Sequence, residues 1–176
     1  VGVLAVQPAD AKKVQQDSVV SPIEMPMNDE IQQVNGVSKA TNKETQRLSN
    51  KLADATKAMV KKNWKTIYVK AVPTGDKAAV RFYYVDTRGQ VHNGQVIRNT
   101  GLSKGKYMTG SLRQAEALQE LVNHLERTGQ EVPSSIDIII TQGGYRSKTI
   151  FNYDEDTSNL PAYQQQYEQE NFPTMK

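Results

Sequence analysis

The chain has no cysteine, two histidines and one tryptophan in 176 residues. Without cysteine there can be no disulfide, no thiolate zinc site and no cysteine nucleophile. His92 and His124 stand alone, on a predicted strand and on the polar side of a predicted helix. A metal site needs more ligands than this, so both are expected at the surface, and no cofactor is expected. No apolar run approaches the roughly 20 residues of a membrane-spanning helix. A dominant charge is missing too: 22 basic and 19 acidic residues leave +3. The basic residues are scattered along the sequence, so direct nucleic-acid binding is not expected. A hydrophobic share of 37% and a mean hydropathy of −0.65 suffice for one core and predict that part of the chain is unpacked.

Catalytic patterns are equally scarce. Gly143-Gly144 and Gly101-Leu102-Ser103-Lys104-Gly105-Lys106 do not match a phosphate-binding loop, and the former sits inside a predicted hairpin. Asp154-Glu155-Asp156 has the residue types for acid–base work or for holding a cation. No histidine lies near it in sequence, so a solvated turn or a charged contact surface is the expectation.

What is present is a pattern of elements. Val1 to Val6 resembles the end of an apolar signal segment, and Ala9-Asp10-Ala11 fits small-x-small cleavage. Residues 1–11 are therefore expected to be a signal remnant, with Lys12 as the first mature residue and a secreted or envelope location. A cytoplasmic chain with an ordinary N-terminus is the alternative. Residues 12–42 carry no sustained period and include Pro22 and Pro26, which predicts a flexible arm or linker. One domain is expected over 43–176.

Leu48, Leu52, Ala55 and Met59 mark one helix stripe, in a helix ending around Asn63. Asn63 to Asp86 holds the tryptophan and three of the eight tyrosines. Two alternating runs around Pro-Thr-Gly-Asp predict a β-hairpin. Ile67, Val69 and Ala71 share one face of the first strand; Val80, Phe82 and Tyr84 share one face of the second. Trp64 is expected packed at the helix-to-strand corner. A third strand is predicted over Gln90 to Ile97, and a loop over Asn99 to Gly110. A second helix is predicted from Ser111, capped by the Ser111/Gln114 pair, with Leu112, Ala115, Leu118, Leu121, Val122 and Leu125 inward and Gly129 as its stop. Strands over Ile136 to Thr141 and Tyr145 to Tyr153 follow. A short helix from Leu160 is expected to lie on the body through Tyr163, Tyr167 and Phe172. The order α-β-β-β-α-β-β-α predicts an α+β fold, an antiparallel sheet packed against helices.

Several of these pieces carry a family resemblance. A helix runs into Asn63-Trp64-Lys65, then the strands Ile67-Tyr68-Val69 and Val80-Arg81-Phe82-Tyr83-Tyr84. A helix ends at Glu126-Arg127-Thr128-Gly129-Gln130-Glu131, and Gly144-Tyr145-Arg146 leads to Phe151-Asn152-Tyr153-Asp154-Glu155-Asp156. In order and spacing, Glu44 to Asp156 resembles the YezG-like family of antitoxin and immunity proteins. The resemblance implies no catalytic residues and a protein partner, a toxin that the family member binds and neutralises; in known cases the toxins are nucleases. Members are often strongly acidic, whereas this chain is +3.

The expected function is therefore non-enzymatic protein binding. Tyr68 and Tyr83, on the face of the hairpin expected to be open, and Tyr153, Asp154, Glu155 and Asp156 are the candidate contact residues. An exported envelope protein of the same fold that binds a cell-wall polymer is the alternative.

Overall fold

Alternation fixes the sheet and a helical stripe on each side covers it. The computed structural model describes residues 33–34, 37–74, 77–144 and 147–175. The expected signal remnant and the expected arm up to residue 32 lie outside them, as do Gly75-Asp76 of the hairpin turn and Tyr145-Arg146.

The described chain begins with a small antiparallel ribbon, β1 (Gln33–Val34) and β2 (Val37–Ser38). Helix α1 (Lys39–Lys57) starts earlier than the expected Lys43 and ends before the expected Asn63. Its start is set by Ser38, whose hydroxyl accepts from the Thr41 amide and relieves one free donor of the first turn. Leu48, Leu52 and Met59 are buried as the stripe predicts, with Ala53 in place of the half-buried Ala55.

The hairpin is present as β3 (Trp64–Thr74) and β4 (Lys77–Asp86). The third strand is much shorter than expected: β5 covers only Val91–Asn93, and the chain then enters a short helix, α2 (Ile97–Thr100). Gly94 ends the strand by passing against Phe82. A Cβ there would lie 2.3 Å from the Phe82 ring and 2.5 Å from its carbonyl oxygen.

Helix α3 (Lys104–Arg127) corrects the largest expectation. The predicted loop over Asn99 to Gly110 is partly helix, and the cap is Ser103, which accepts from the Lys106 amide, instead of Ser111. Gln114 is no capping partner; it is buried and donates to Thr56 Oγ1 of α1 at 2.9 Å. Glycine weakens a helix interior, yet Gly110 is needed where it stands. A Cβ there would meet the Met59 sulfur at 2.1 Å, so its absence lets α3 close on the end of α1. The inward face is rotated from the predicted one. Ala117, Leu118, Leu121, Val122 and Leu125 are buried, and Leu112 is exposed.

Strands β6 (Ser135–Thr141) and β7 (Lys148–Asn152) and helix α4 (Leu160–Asn171) complete the fold. The five long-range strands pair antiparallel throughout in the order β5-β4-β3-β6-β7. Register places Ile67 opposite Tyr84 and Ile140, and Val69 opposite Phe82 and Ile138. That face is apolar and packs under α1 and α3 as the core. The alternate residues form the second face, which α4 covers. Phe172, just beyond α4, lies 5.5 Å from the Tyr68 ring and 4.9 Å from the Tyr83 ring.

Candidate functional site

The second face of the sheet was expected to be open. It is closed, and polar inside. Tyr83 is fully buried; its hydroxyl donates to Glu168 of α4 at 2.6 Å and accepts from Arg81 Nε at 3.2 Å. Burial, reinforced by the Glu168 carboxylate, pushes the Tyr83 phenol strongly upward. Tyr68 is half-buried beside Phe172, and burial raises its phenol as well. Tyr83 therefore contributes no exposed contact surface in this fold.

Next to these tyrosines sits a buried lysine. Lys70 Nζ donates to Ser135 Oγ at 3.0 Å and lies 3.2 Å from an Asp137 carboxylate oxygen. It stands 5.0 Å over the Tyr167 ring and 5.5 Å from that of Tyr163, a cation–π arrangement supplied by α4. Burial opposes its charge, but the Asp137 carboxylate and its neighbours hold the ammonium well above the usual lysine range.

That network reaches the acidic loop. Ser135 Oγ, accepting from Lys70 and from Asn152 Nδ2, donates to Glu155 Oε1. Glu155 also accepts from Ser134 Oγ at 3.2 Å and from the Tyr163 hydroxyl at 3.0 Å. Glu155 thus anchors the loop to β6 and α4. Asp156 accepts from the Ser158 amide and hydroxyl, which pulls its carboxyl below the usual range. Asp154 holds a left-handed backbone, φ 63°, tolerated best by short polar side chains other than glycine. Asp154 and Asp156 are exposed. Tyr153 packs partly against the core, and burial, with Glu131 nearby, pushes its phenol up to about 12. Of the six sequence candidates, the structure brings Tyr153 to Asp156 together at one end and leaves Tyr68 and Tyr83 under α4.

The two histidines are not surface residues. His124 is buried, with its Nε2 2.9 Å from Thr45 Oγ1. His92 is half-buried, stacked 4.8 Å from Tyr84, with Nε2 2.8 Å from Asp86. Asp86 accepts in addition from the Arg88 and Gln90 amides. The His92 bond and those amides lower its carboxyl to about 2. Both histidines tie elements together: His124 joins α3 to α1 through Thr45, and His92 joins β5 to Asp86 at the end of β4.

Sequence reasoning missed the far end. The Lys61 amide donates to the Thr100 carbonyl at 2.8 Å, joining the exit of α1 to α2. A Cβ at Gly101 would lie 3.1 Å from Lys61 Cβ and 3.4 Å from Lys62 Cε. Lys57, Lys61, Lys62, Arg98, Lys104 and Lys106, scattered in sequence, thereby share one end of the molecule, and all are exposed. Beside them lies a cleft of about 270 Å³ lined by Asn50, Asp54, Lys57, Trp64, Gln142 and Ser147. Trp64 is half-buried: it packs on the core as expected and shows its remaining edge to this cleft. The run Lys57–Lys65 was the visible signal; the second half was hidden by reading residues 99–110 as a loop.

Among the described residues no helix is long and apolar enough to cross a membrane. In comparisons with known proteins, the family model described as immunity protein YezG-like matches residues 45–175. No curated protein matches the chain.

Proposed function

Because the chain belongs to the YezG-like immunity protein family, we propose that it is a non-enzymatic protein that binds a partner toxin and neutralises it by occlusion. The family match over residues 45–175 carries this reading. The contact surface we assign to it is the acidic loop. Glu155 holds the loop rigidly to Ser134, Ser135 and Tyr163, so Asp154 and Asp156 are displayed without the entropy cost of ordering them on contact. Two fixed exposed carboxylates, with Glu131 close by, suit a basic partner surface and steer its approach.

The test is titration of a toxin, sought among the products of neighbouring genes, against wild type, Asp154→Asn/Asp156→Asn and Glu155→Gln, at two salt concentrations. The double variant should keep wild-type stability, bind more slowly and show a flatter salt dependence. Glu155→Gln should lower stability as well, since it loosens the loop's anchor. Equal affinities of the double variant and wild type at both salts would refute the acidic-loop surface. Retention on isolated cell walls with no toxin binding would favour the envelope-protein reading instead. If Ala9-Asp10-Ala11 is cleaved, the mature chain starts at Lys12 and acts outside the cytoplasm. N-terminal sequencing checks this, and a longer intact terminus in the cytosol would refute it.

A further inference from the structure

The end of the molecule opposite the acidic loop is chemically distinct and is not used by the reading above. Helix α3, 24 residues long, spans about 36 Å and separates the two. Acidic residues Glu126 and Glu131 lie by its C-terminus with Asp154 and Asp156 nearby; the six cations named above lie at its N-terminus. Ion pairs among the described residues join Arg47 to Glu44, Lys51 to Glu120, Lys70 to Asp137 and Arg81 to Glu168; none includes a cation of this end. The first turn of α3 contains Lys104 and Lys106 and no acidic residue. The positive end of the helix dipole disfavours that choice. Positive charge accumulates here against the local rule and outside the ion pairs just named.

We propose that this end is a second docking surface, for an acidic segment of a protein partner that carries apolar side chains between its carboxylates. Charge complementarity supplies the acidic half of that description. The apolar half comes from α3 itself. Lys104, Met108 and Leu112 are spaced by four and so share one flank of the helix. Met108 is 62% and Leu112 59% exposed, the large apolar side chains that the fold leaves out among the described residues. A phosphate backbone gains little from a thioether and an isobutyl group, whereas a helix or strand bearing leucine among glutamates meets both. Exposed cations beside an exposed thioether and isobutyl group on one helix flank describe a protein contact.

Three labelled probes of equal charge separate the alternatives by fluorescence anisotropy: a peptide of glutamates with leucine at every fourth position, a glutamate-only peptide, and a thymidine oligonucleotide. The leucine-bearing peptide should bind roughly tenfold or more tightly than either other probe, a difference of about 1.4 kcal/mol. Lys61→Glu/Lys62→Glu/Lys104→Glu, all at exposed positions, should weaken it by at least about tenfold while circular dichroism and toxin neutralisation stay unchanged. Met108→Ser/Leu112→Ser should erase its advantage over the glutamate-only peptide. Oligonucleotide binding as tight as the peptide's would make this a nucleic-acid surface and overturn the proposal. So would no binding of the leucine-bearing peptide, or affinities unmoved by both variants. Because toxin neutralisation is read separately, failure here leaves the acidic-loop reading standing, and the reverse.

Discussion

The two faces of the five-stranded sheet are held by different physics. Under α1 and α3, Ile67, Val69, Phe82, Ile136, Ile138, Leu118 and Leu121 form a dry core in which area removed from water does the work. Under α4, the opposing face offers Lys70, Arg81, Tyr83, Ser135, Asp137 and Asn152. The covering helix answers with Tyr163, Tyr167 and Glu168, and none of α4's own residues is fully buried. A dry face tolerates loss of one contact by partial collapse. A polar face has no such recourse, because each removed partner strands another in low dielectric. The comparison predicts which face fails globally and which fails locally.

The largest effect should come from the dry face. Phe82→Ala empties the centre of the core at a residue 1% exposed and should destabilise by about 4 kcal/mol. Urea denaturation would show it as a shifted midpoint of one cooperative transition, with α1, α3 and the sheet lost together. A change below about 1 kcal/mol would mean that the core repacks around Gly94.

Next comes Lys70→Met on the polar face. It keeps the aliphatic stem and deletes the ammonium that satisfies Ser135 and Asp137 and sits over Tyr167. Breaking a buried pair in this way should cost about 3 kcal/mol. Hydrogen exchange should reveal the contrast with Phe82→Ala: amides of α4 speed up first, while those of β3 and β6 stay protected. Adding Asp137→Leu should recover part of the loss, since a fully apolar pair strands no charge. Uniform exchange across the molecule would erase the distinction between the faces.

A smaller step is Tyr83→Phe, which removes one hydroxyl between Glu168 and Arg81 and keeps the ring against Phe172. The expected loss is about 2 kcal/mol, within the roughly 1.5–3 kcal/mol of a hydrogen bond to a charged group. A measured change near zero would assign the hold of α4 to ring packing alone.

The sheet was legible in the sequence because a period of two puts Ile67, Val69 and Ala71 on one face whatever the partner. The C-terminal helix was legible because Tyr163, Tyr167 and Phe172 need a surface to cover. Glycine misled at residues 105 and 110. It reads as loop by intrinsic preference, and only the approach of Met59 explains Gly110. The face of α3 was misphased for the same reason. Starting the helix at Ser111 placed Leu112 inward and His124 outward, and both are reversed. Glu155 could not be assigned its anchoring role, because Ser134 and Ser135 are about twenty residues away and meet it only through sheet register. The basic end was invisible for a similar reason, needing the Lys61–Thr100 contact to join two segments far apart in sequence.

His124 gives the finest comparison, between the α1–α3 seam and the exposed turn at Asp86, because both titrate with opposite neighbours and in separate windows. The Thr45 hydroxyl already donates to the Thr41 carbonyl at 3.0 Å, so it must accept from His124, and Nε2 carries the proton. A second proton would go to Nδ1 and place a charge in a buried ring. Burial lowers the His124 pKa; Arg127 on its own helix and Arg47 on α1 act in the same sense, against the Thr41 carbonyl and Glu44. The folded value thus lies below the unfolded one of about 6.5. Below that pH the unfolded chain takes up the proton first, so the native state loses stability as pH falls from about 7 through the lowered value. Asp86 has the other sign of charge and a lower window. Its carboxyl, at about 2 when folded, contributes stability that persists above the unfolded value of about 3.9 and fades as pH falls toward 2. Denaturation midpoints measured from pH 8 to pH 3 should therefore decline in two stages. His124→Gln retains a donor for Thr45 and cannot titrate, so it should remove the upper stage and leave the lower one. Asp86→Asn should shrink the lower stage, which Asp156 and Glu44 share, and leave the upper one. If His124→Gln follows the wild-type slope between pH 7 and pH 5, the seam does not sense pH through this ring.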